Sequence, residues 1–202
     1  MSAIISPFTP YHGWIEIVAG CMYSGKSEEL IRRLRRASIA KQSVAAFKPK
    51  IDDRYHPTDI ATHTGAKIRS TPVGSADELY ERAKSFDVVG VDEAQFFDDE
   101  IVKVCNELAN KGVRVIVAGL DMDYKGVPFS SMANLMATAE YVTKVHAVCS
   151  KTGNLAHYSF RKSDKQDLVL LGEKQDYEPL SRSAFIEATG KRVQKKAKKK
   201  KS

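Results

Sequence analysis

The feature that most constrains this chain is the segment from residue 20 to residue 27, which reads Gly-Cys-Met-Tyr-Ser-Gly-Lys-Ser. An apolar run at residues 14–19 comes before it, and helical spacing at residues 27–40 follows it. Two glycines let such a loop turn so that successive backbone N–H groups point inward, and the helix adds its positive N-terminal end. This spacing, in this context, predicts a loop that binds the phosphates of a nucleotide.

Each fixed residue of the loop has an expected role. Lys26 brings a cation to the β- and γ-phosphates, and Ser27 offers a hydroxyl to Mg²⁺. We therefore expect ATP and Mg²⁺ as cofactors. The predicted ATP-binding residues of the loop are Gly20, Cys21, Met22, Tyr23, Ser24, Gly25, Lys26 and Ser27.

Strand-like and helix-like segments alternate along the chain. Apolar runs rich in β-branched residues predict buried strands at residues 14–19, 43–47, 88–91, 113–118 and 142–148. Helical spacing predicts helices at residues 27–40, 76–84 and 98–111. The second helix begins with a capping box formed by Ser75 and Glu78, and the third ends at Lys111-Gly112. The alternation predicts an α/β fold with a parallel sheet that is covered on both faces.

The amino-acid composition of the chain changes after Cys149. Residues 150–190 contain glycine, proline and serine around one strand-like run at residues 168–171. We expect a small, loop-rich lobe there rather than an independent hydrophobic core.

Two adjacent carboxylates follow the strand predicted at residues 88–91. The carboxyl ends of parallel strands meet at the crevice that binds the ligand, so Asp92 is expected beside the phosphate loop, where it holds Mg²⁺ together with Ser27. Neighbouring residues on a strand point to opposite sides. Glu93 is therefore expected to have a separate role, as the general base that takes a proton from an attacking hydroxyl or water. Gln95, in the same segment, is assigned to the ATP site.

Composition limits the class of protein further. The 202 residues are 43% hydrophobic and 28% charged, as in soluble globular proteins. No apolar stretch approaches the roughly 20 residues that span a bilayer, and the start of the chain lacks the pattern of a secretion signal, so no membrane partner is expected. Three scattered cysteines, Cys21, Cys105 and Cys149, form no disulfide framework. These features favour a cytoplasmic location.

The net charge of +7 belongs to the end of the chain. Residues 191–202 carry eight lysine and arginine residues and no acidic residue, so the rest of the chain is near neutral. We expect a disordered, solubilising tail and no specific nucleic-acid partner. Two alternatives remain: an ATPase that acts on nucleic acid with help from this tail, and a non-catalytic nucleotide-binding regulator. The near-neutral body and the presence of Glu93 argue against both.

Two other classes of nucleotide-binding protein are excluded on sequence grounds. Residues 92–95, Asp-Glu-Ala-Gln, are also typical of helicases, but helicases of that kind pair two cores, and this chain has one phosphate loop. The chain is not expected to be a GTPase, because the segment Asn110-Lys111-Gly112-Val113 lacks the aspartate that would bind guanine.

Several motifs, taken together and in order, resemble those of the cytosolic (type II) thymidine kinase family. They are residues 20–30 (Gly-Cys-Met-Tyr-Ser-Gly-Lys-Ser-Glu-Glu-Leu), Lys48-Pro49, Asp53-Arg54-Tyr55, residues 91–97 (Val-Asp-Glu-Ala-Gln-Phe-Phe), Gly119-Leu120-Asp121, Tyr124 and Pro128-Phe129. The resemblance runs from about residue 13 to residue 182. It implies a RecA-like P-loop NTPase core at residues 13–148, a lasso lobe that covers the nucleoside at residues 149–190, and the tail at residues 191–202.

The resemblance also implies an activity and site residues. The activity is ATP-dependent phosphorylation of the 5′-hydroxyl of thymidine, or of deoxyuridine, for nucleotide salvage. Glu93 falls on the family's proton acceptor, Asp92 on its metal-side acid, and Arg54 on a position that faces the phosphates. Two tyrosines fall on the nucleoside site: Tyr124 packs against thymine, and Tyr177 reaches the sugar. The backbone of a lasso segment binds the base edge, and its residues are Leu168, Val169, Leu170, Leu171 and Gly172. The family resemblance further implies a homotetramer and feedback inhibition by dTTP.

One departure from the family pattern concerns zinc. The lasso of the family is folded around Zn²⁺ by two pairs of cysteine or histidine ligands. Here the first pair reads Cys149-Ser150-Lys151-Thr152, and the second falls on Ser181-Arg182-Ser183-Ala184. One ligand of four is left, and neither His146 nor His157 has the spacing of a ligand. We therefore predict no zinc site, with Cys149 kept as a small apolar core residue.

Overall fold

The computed structural model describes residues 13–50, 59–61, 67–163 and 176–199. Within them it has the following strands: β1 (Trp14–Gly20), β2 (Val44–Pro49), β3 (Asp59–Ala61), β4 (Lys67–Arg69), β5 (Thr71–Val73), β6 (Val88–Val91), β7 (Arg114–Leu120), β8 (Tyr141–Val145), β9 (Ala147–Val148), β10 (Leu155–Ala156), β11 (Tyr158–Arg161) and β12 (Tyr177–Leu180). The helices are α1 (Lys26–Ile39), α2 (Ala76–Ala83), α3 (Glu100–Asn110), α4 (Ser130–Thr138) and α5 (Arg182–Lys199).

Six of these strands form one parallel sheet in the order β5-β2-β6-β7-β1-β8. The register pairs Gly20, the last residue of β1, with Leu120 of β7 on one side and Val145 of β8 on the other. The carboxyl ends of the strands are therefore at one edge of the sheet. The predicted α/β class with a parallel sheet is confirmed.

Both faces of the sheet are covered, because alternate residues of its strands pack in opposite directions. On β7, Val115 and Val117 join the cluster that contains α2, α3 and α4, whereas Ile116 and Ala118 join the cluster that contains α1. All four side chains have no exposed surface. Such a strand shows an unbroken apolar run in the sequence, which is the pattern that predicted it.

Two predicted helix ends have the expected geometry. The Ser75 hydroxyl accepts a hydrogen bond from the Glu78 N–H at 3.1 Å, and the Glu78 carboxylate reaches back to the Gly74 N–H at 2.8 Å. At the end of α3, Gly112 has a φ of 93°. The N–H of Val113 then bonds to the Leu108 carbonyl at 3.1 Å, which closes the helix end.

The strand predicted at residues 142–148 is wrong in two respects. The chain forms β8 in the parallel sheet and then β9, which pairs antiparallel with β10 outside that sheet. A run of β-branched residues carries no signal for the point at which a chain passes from one sheet to another. β8 is also not buried, since it is the edge strand, and Tyr141 and Val142 are 60% and 48% exposed.

Helix α4 was not predicted from the sequence. It has nine residues, and no side chain caps its first turn, since the N-cap position is Phe129. Its buried residues Met132 and Leu135 complete the core beside β1 and α3. A short helix without a capping residue lacks the usual start signal, and tertiary packing supplies its stability.

The C-terminal lobe consists of two small antiparallel pairs, β9–β10 and β11–β12, followed by α5. Its cluster of buried residues includes Tyr158 and Phe185, whose rings stack with centroids 4.2 Å apart. Cys21 of the phosphate loop belongs to the same cluster. The small hydrophobic cluster of the lobe is therefore shared with the phosphate loop.

The end of the chain differs from the sequence prediction. Residues 191–202 were expected to be disordered, but the backbone is helical through Lys199, within α5. Lysine, alanine, glutamine and arginine all favour helix, so the segment continues the helix that the lobe begins. The predicted boundary between lobe and tail at residue 190 thus falls inside one element. Among the helices that the structure describes, none is long and apolar enough to cross a membrane.

A buried charge holds α1 against the sheet. Glu16 of β1 has a side chain 9% exposed and accepts hydrogen bonds from Trp14 at 2.6 Å, Arg114 at 2.7 Å and Arg33 of α1 at 2.7 Å. Burial alone would raise the pKa of this carboxyl, but the bonds from Arg114 and Trp14 hold the pKa below its usual value. The folded state therefore favours ionised Glu16.

We predict that Glu16→Gln lowers the free energy of unfolding by about 2–3 kcal/mol, because two partly buried arginines lose their counter-charge. The matched control is Glu100→Gln, whose partner Lys103 is 66% exposed and which should leave the free energy of unfolding nearly unchanged. Because the pKa of Glu16 is lowered in the folded state, its contribution is present above its usual pKa and is lost on acidification. The difference from wild type in urea unfolding should shrink below about pH 4. Equal losses in the two variants would contradict this account.

Candidate active site

The phosphate loop has the strand–loop–helix form that its sequence predicts. β1 ends at Gly20 and α1 begins at Lys26, with Gly25 at the N-cap in the left-handed region (φ 84°). A Cβ atom on Gly20 would lie 2.2 Å from the Val145 carbonyl oxygen, so only glycine fits where β1 passes the end of β8. Both glycines of the motif are therefore required by the backbone.

The lysine of the motif is held against the loop. Lys26 is 9% exposed, and its ammonium donates to the Cys21 carbonyl at 2.8 Å. The Ser24 hydroxyl donates to the same carbonyl at 2.7 Å. These two bonds hold the loop close to the Lys26 side chain. The positive charge of Lys26 therefore lies next to the start of α1.

Ser27 and Asp92 lie together, as the sequence predicts. The Ser27 hydroxyl donates to Asp92 Oδ2 at 3.0 Å. Asp92 follows β6 directly, and its N–H bonds to the Phe47 carbonyl at 2.9 Å, which fixes it at the edge of the sheet next to the loop. A hydroxyl and a carboxylate oxygen at this separation are the kind of ligands that Mg²⁺ takes in nucleotide sites.

The electrostatics of Asp92 favour a cation at this point. Its carboxylate is 6% exposed. Burial and the negative charge of Glu93 raise the pKa of Asp92 to about 7, although Ser27 and Lys26 act in the opposite direction. An additional cation next to Asp92 would offset both the burial and the repulsion.

Glu93 has an uncommon backbone conformation. Its φ of 54° and ψ of 38° lie in the left-handed region, and its N–H bonds to Asp92 Oδ1 at 3.0 Å. A glutamate in this region costs about 1 kcal/mol or more, and such residues cluster at functional sites. The side chains of Asp92 and Glu93 have different partners, Ser27 and Gln95, because a turn rather than strand alternation separates them. Their separate roles stay a prediction.

Gln95 fixes the Glu93 side chain. Its amide N–H donates to Glu93 Oε2 at 2.6 Å, and its amide oxygen accepts from the Leu120 N–H at 2.9 Å. Gln95 is itself 5% exposed, so its amide cannot turn freely. These contacts direct Gln95 to the carboxylate of Glu93. Its assignment to the ATP site stays a prediction.

Polar contacts between described residues join the lobe to the phosphate loop. The Cys21 thiol lies 3.4 Å from the Ala156 carbonyl, and the Met22 N–H donates to the Ser159 hydroxyl at 2.9 Å. Burial raises the pKa of Cys21, so the thiol stays neutral. Sequence reasoning missed Ser159, because a lone serine in a short strand carries no functional signal.

Two of the residues predicted for the nucleoside lie close together. Arg161 of β11 joins them: its guanidinium lies 3.8 Å from the centroid of the Tyr124 ring and donates to the Tyr177 hydroxyl. Arg161 was not predicted, because an arginine in a short strand usually indicates an exposed position. Five other predicted nucleoside residues, Leu168, Val169, Leu170, Leu171 and Gly172, lie outside the described residues, as does Arg54.

The positions that fall on the zinc ligands of the family are brought together. The Thr152 hydroxyl donates to Ser181 Oγ at 3.4 Å, and Cys149 and Ala184 are buried in the same cluster. Burial raises the pKa of the Cys149 thiol, but hydrogen bonds from Thr152, Ser181 and the Lys151 backbone bring it down to about 6. Cys149 is thus buried in the hydrophobic cluster of the lobe, as expected, and hydrogen bonds to its sulfur lower the pKa of its thiol.

Histidine does not complete a metal site in the described part of the chain. His146 and His157 lie with ring centroids 4.5 Å apart, at the junction of β8 with the lobe. Among the described residues, no group of three or more histidine, cysteine, aspartate or glutamate side chains is placed to hold a metal ion.

Comparison with solved structures agrees with the observed fold. The flagellar accessory protein FlaH from Methanocaldococcus jannaschii superposes with a TM-score of 0.50 over 72% of this chain and 76% of that protein. The sequence identity is 15%, so this similarity shows the fold alone.

Sequence comparison identifies the family. The family model described as "Thymidine kinase" matches residues 13–185. A thymidine kinase of Bacteroides thetaiotaomicron is 52% identical over 93% of this chain and 94% of that protein, and one of Rhodothermus sp. is 55% identical over 86% and 81%. A third, from Porphyromonas gingivalis, is 52% identical over 86% and 85%. The chain therefore belongs to the thymidine kinase family.

Proposed function

We propose that the chain transfers the γ-phosphoryl group of ATP to the 5′-hydroxyl of thymidine, with Glu93 as the general base. Family membership supports the reaction, since relatives more than 50% identical over most of the chain are thymidine kinases. The geometry supports the roles. These roles rest on two contacts: the Ser27 hydroxyl bonds to Asp92, and Gln95 fixes the carboxylate of the adjacent Glu93.

The role of Glu93 follows from the chemistry of the acceptor. A neutral alcohol is a poor nucleophile, and its proton must leave as the phosphoryl group is transferred. Glu93 lies one residue beyond Asp92, at the end of the strand next to the phosphate loop. The bond from Gln95 holds Glu93 Oε2, and this leaves the second carboxylate oxygen to accept the proton.

Ser27, Asp92 and Lys26 are assigned to the phosphate side of the reaction. The Ser27 hydroxyl and the Asp92 carboxylate would hold Mg²⁺, which would neutralise charge on the phosphates. Lys26 places a second positive charge at the loop, next to the helix N-terminus. Together these groups stabilise the charge on the transferred phosphoryl group.

The nucleoside is proposed to lie between the core and the lobe. Tyr124 follows β7, Tyr177 begins β12, and both contact Arg161. The lobe is also bonded to the phosphate loop through Ser159. A lobe in this position covers the acceptor and excludes water, which would otherwise compete as the acceptor of the phosphoryl group.

The resemblance to the family implies four further properties, which we propose for this chain. They are acceptance of deoxyuridine, inhibition by dTTP, assembly as a homotetramer and a cytoplasmic location. The division into a core at residues 13–148 and a lobe that begins at residue 149 and includes α5 is proposed in the same sense. Arg54 and the backbone of residues 168–172 keep their proposed contacts with phosphate and base.

The role of Glu93 is tested by Glu93→Gln, which keeps the shape of the side chain and removes the group that takes the proton. We expect kcat to fall by roughly 100-fold or more, with ATP affinity unchanged by calorimetry. Glu81→Gln is the matched control, because Glu81 is an exposed residue of α2 that pairs with Lys84. Full activity of Glu93→Gln would exclude Glu93 as the base.

The absence of zinc is a separate prediction. One thiol cannot replace the four ligands of a structural site, and Thr152, Ser181 and Ala184 stand where three further ligands would be needed. Elemental analysis should find less than about 0.1 zinc per chain, and activity should survive strong chelators once Mg²⁺ is restored. Stoichiometric zinc would show that the ligands lie elsewhere in the chain.

A further inference from the structure

Arg161 is a charged side chain in the interior of the lobe. It is 1% exposed and is among the largest fully buried side chains among the described residues. An ionised guanidinium at such a depth is unfavourable unless its N–H groups and its charge find partners. Two aromatic residues from different parts of the chain supply such contacts, Tyr124 after β7 and Tyr177 at the start of β12.

The contact with Tyr177 sets the direction of its hydroxyl. Arg161 and Tyr177 are paired across the antiparallel strands β11 and β12. Arg161 Nε donates to the tyrosine oxygen at 2.9 Å, and Nη2 donates to the same oxygen at 2.5 Å. Two accepted bonds fill the acceptor capacity of a phenol oxygen. The remaining O–H can then act toward a ligand only as a hydrogen-bond donor.

The contact with Tyr124 orients its ring. The guanidinium carbon lies 3.8 Å from the ring centroid, the distance of direct stacking, whereas the ammonium of Lys125 lies 5.3 Å from the same centroid. A planar guanidinium stacks on an aromatic ring more effectively than an ammonium does. Because Arg161 is buried and bonded to Tyr177, it holds the Tyr124 ring at one angle relative to the lobe.

We propose that Arg161 is a positioning residue of the nucleoside site. It fixes the ring of Tyr124 for the base and turns the hydroxyl of Tyr177 outward as a donor to an acceptor oxygen of the sugar. This inference rests on the proposed function, in which these two tyrosines contact the nucleoside. Arg161 acts through them and has no role toward ATP. Its loss should therefore weaken the use of thymidine without weakening the use of ATP.

The first test is Arg161→Lys, which keeps the charge and loses both the planar stack and the paired donors. We expect KM for thymidine to rise roughly tenfold or more, and KM for ATP to stay within about twofold of wild type. The control is Arg182→Lys, since Arg182 is an exposed arginine of the same lobe, 5.4 Å from the Tyr158 ring. That variant should match wild type. Equal increases in both KM values would indicate a general structural role and overturn the proposal.

The second test keeps Arg161 and removes its acceptor. Tyr177→Phe retains the ring and should also raise KM for thymidine selectively. The double variant with Arg161→Lys should lose less than the product of the two single losses, because both changes remove one shared interaction. If Arg161→Lys does not fold, Arg161→Gln takes its place: a selective rise in KM for thymidine supports the proposal, and an unchanged KM for thymidine overturns it.

Failure of the proposed nucleoside site is detected separately with Tyr124→Leu. An unchanged KM for thymidine in that variant would contradict the placement of the nucleoside itself. If Tyr124→Leu raises this KM while Arg161→Lys leaves it unchanged, the nucleoside site stands. In that case the proposal for Arg161 is wrong.

Discussion

The hydrogen bond between Ser27 and Asp92 is the contact on which the rest of the site depends. It joins the first residues of α1 to the end of β6, two strands away from β1 in the sheet. The parallel order of the sheet brings these ends to one edge, and Gly20 allows β1 to pass the Val145 carbonyl at close range. This contact also fixes the neighbouring residues in the sequence, because Lys26 directly precedes Ser27 and Glu93 directly follows Asp92.

This arrangement concentrates charge around Lys26 and Asp92, which are both buried. Asp92 and Glu93 are adjacent carboxylates, and burial together with their repulsion raises the pKa of Asp92. By contrast, Glu16 is also buried but has two arginines and an indole N–H as partners, which lower its pKa. The two cases separate a structural carboxylate, which is already neutralised, from one that still favours a cation. The left-handed backbone at Glu93 and the bond from Gln95 add rigidity at the residue that we propose as the general base.

Much of the core could be predicted from the sequence, because its signals are local. The spacing of residues 20–27 determines the strand–loop–helix unit, and unbroken apolar runs mark strands that are covered on both faces. Asp92 was placed beside Ser27 because parallel strands end at one edge of a sheet. The break between β8 and β9, the helix α4 and the contacts of Arg161 depend on distant partners, and no local pattern indicates them. The helix that continues through Lys199 could not be predicted from the local sequence either. Its high charge favours disorder, whereas its lysine and alanine residues favour helix.

The lobe and the phosphate loop form one unit, since the Cys21 side chain belongs to the cluster of the lobe and Met22 bonds to Ser159. The central claim is that this unit delivers the phosphoryl group of ATP to the 5′-oxygen of thymidine. The most direct measurement incubates the full chain with Mg-ATP and each natural nucleoside in turn and locates the new phosphate by ³¹P NMR. The account predicts thymidine 5′-monophosphate and one ADP for each product molecule. Release of ADP without a nucleoside product, or phosphate at another hydroxyl, would contradict it.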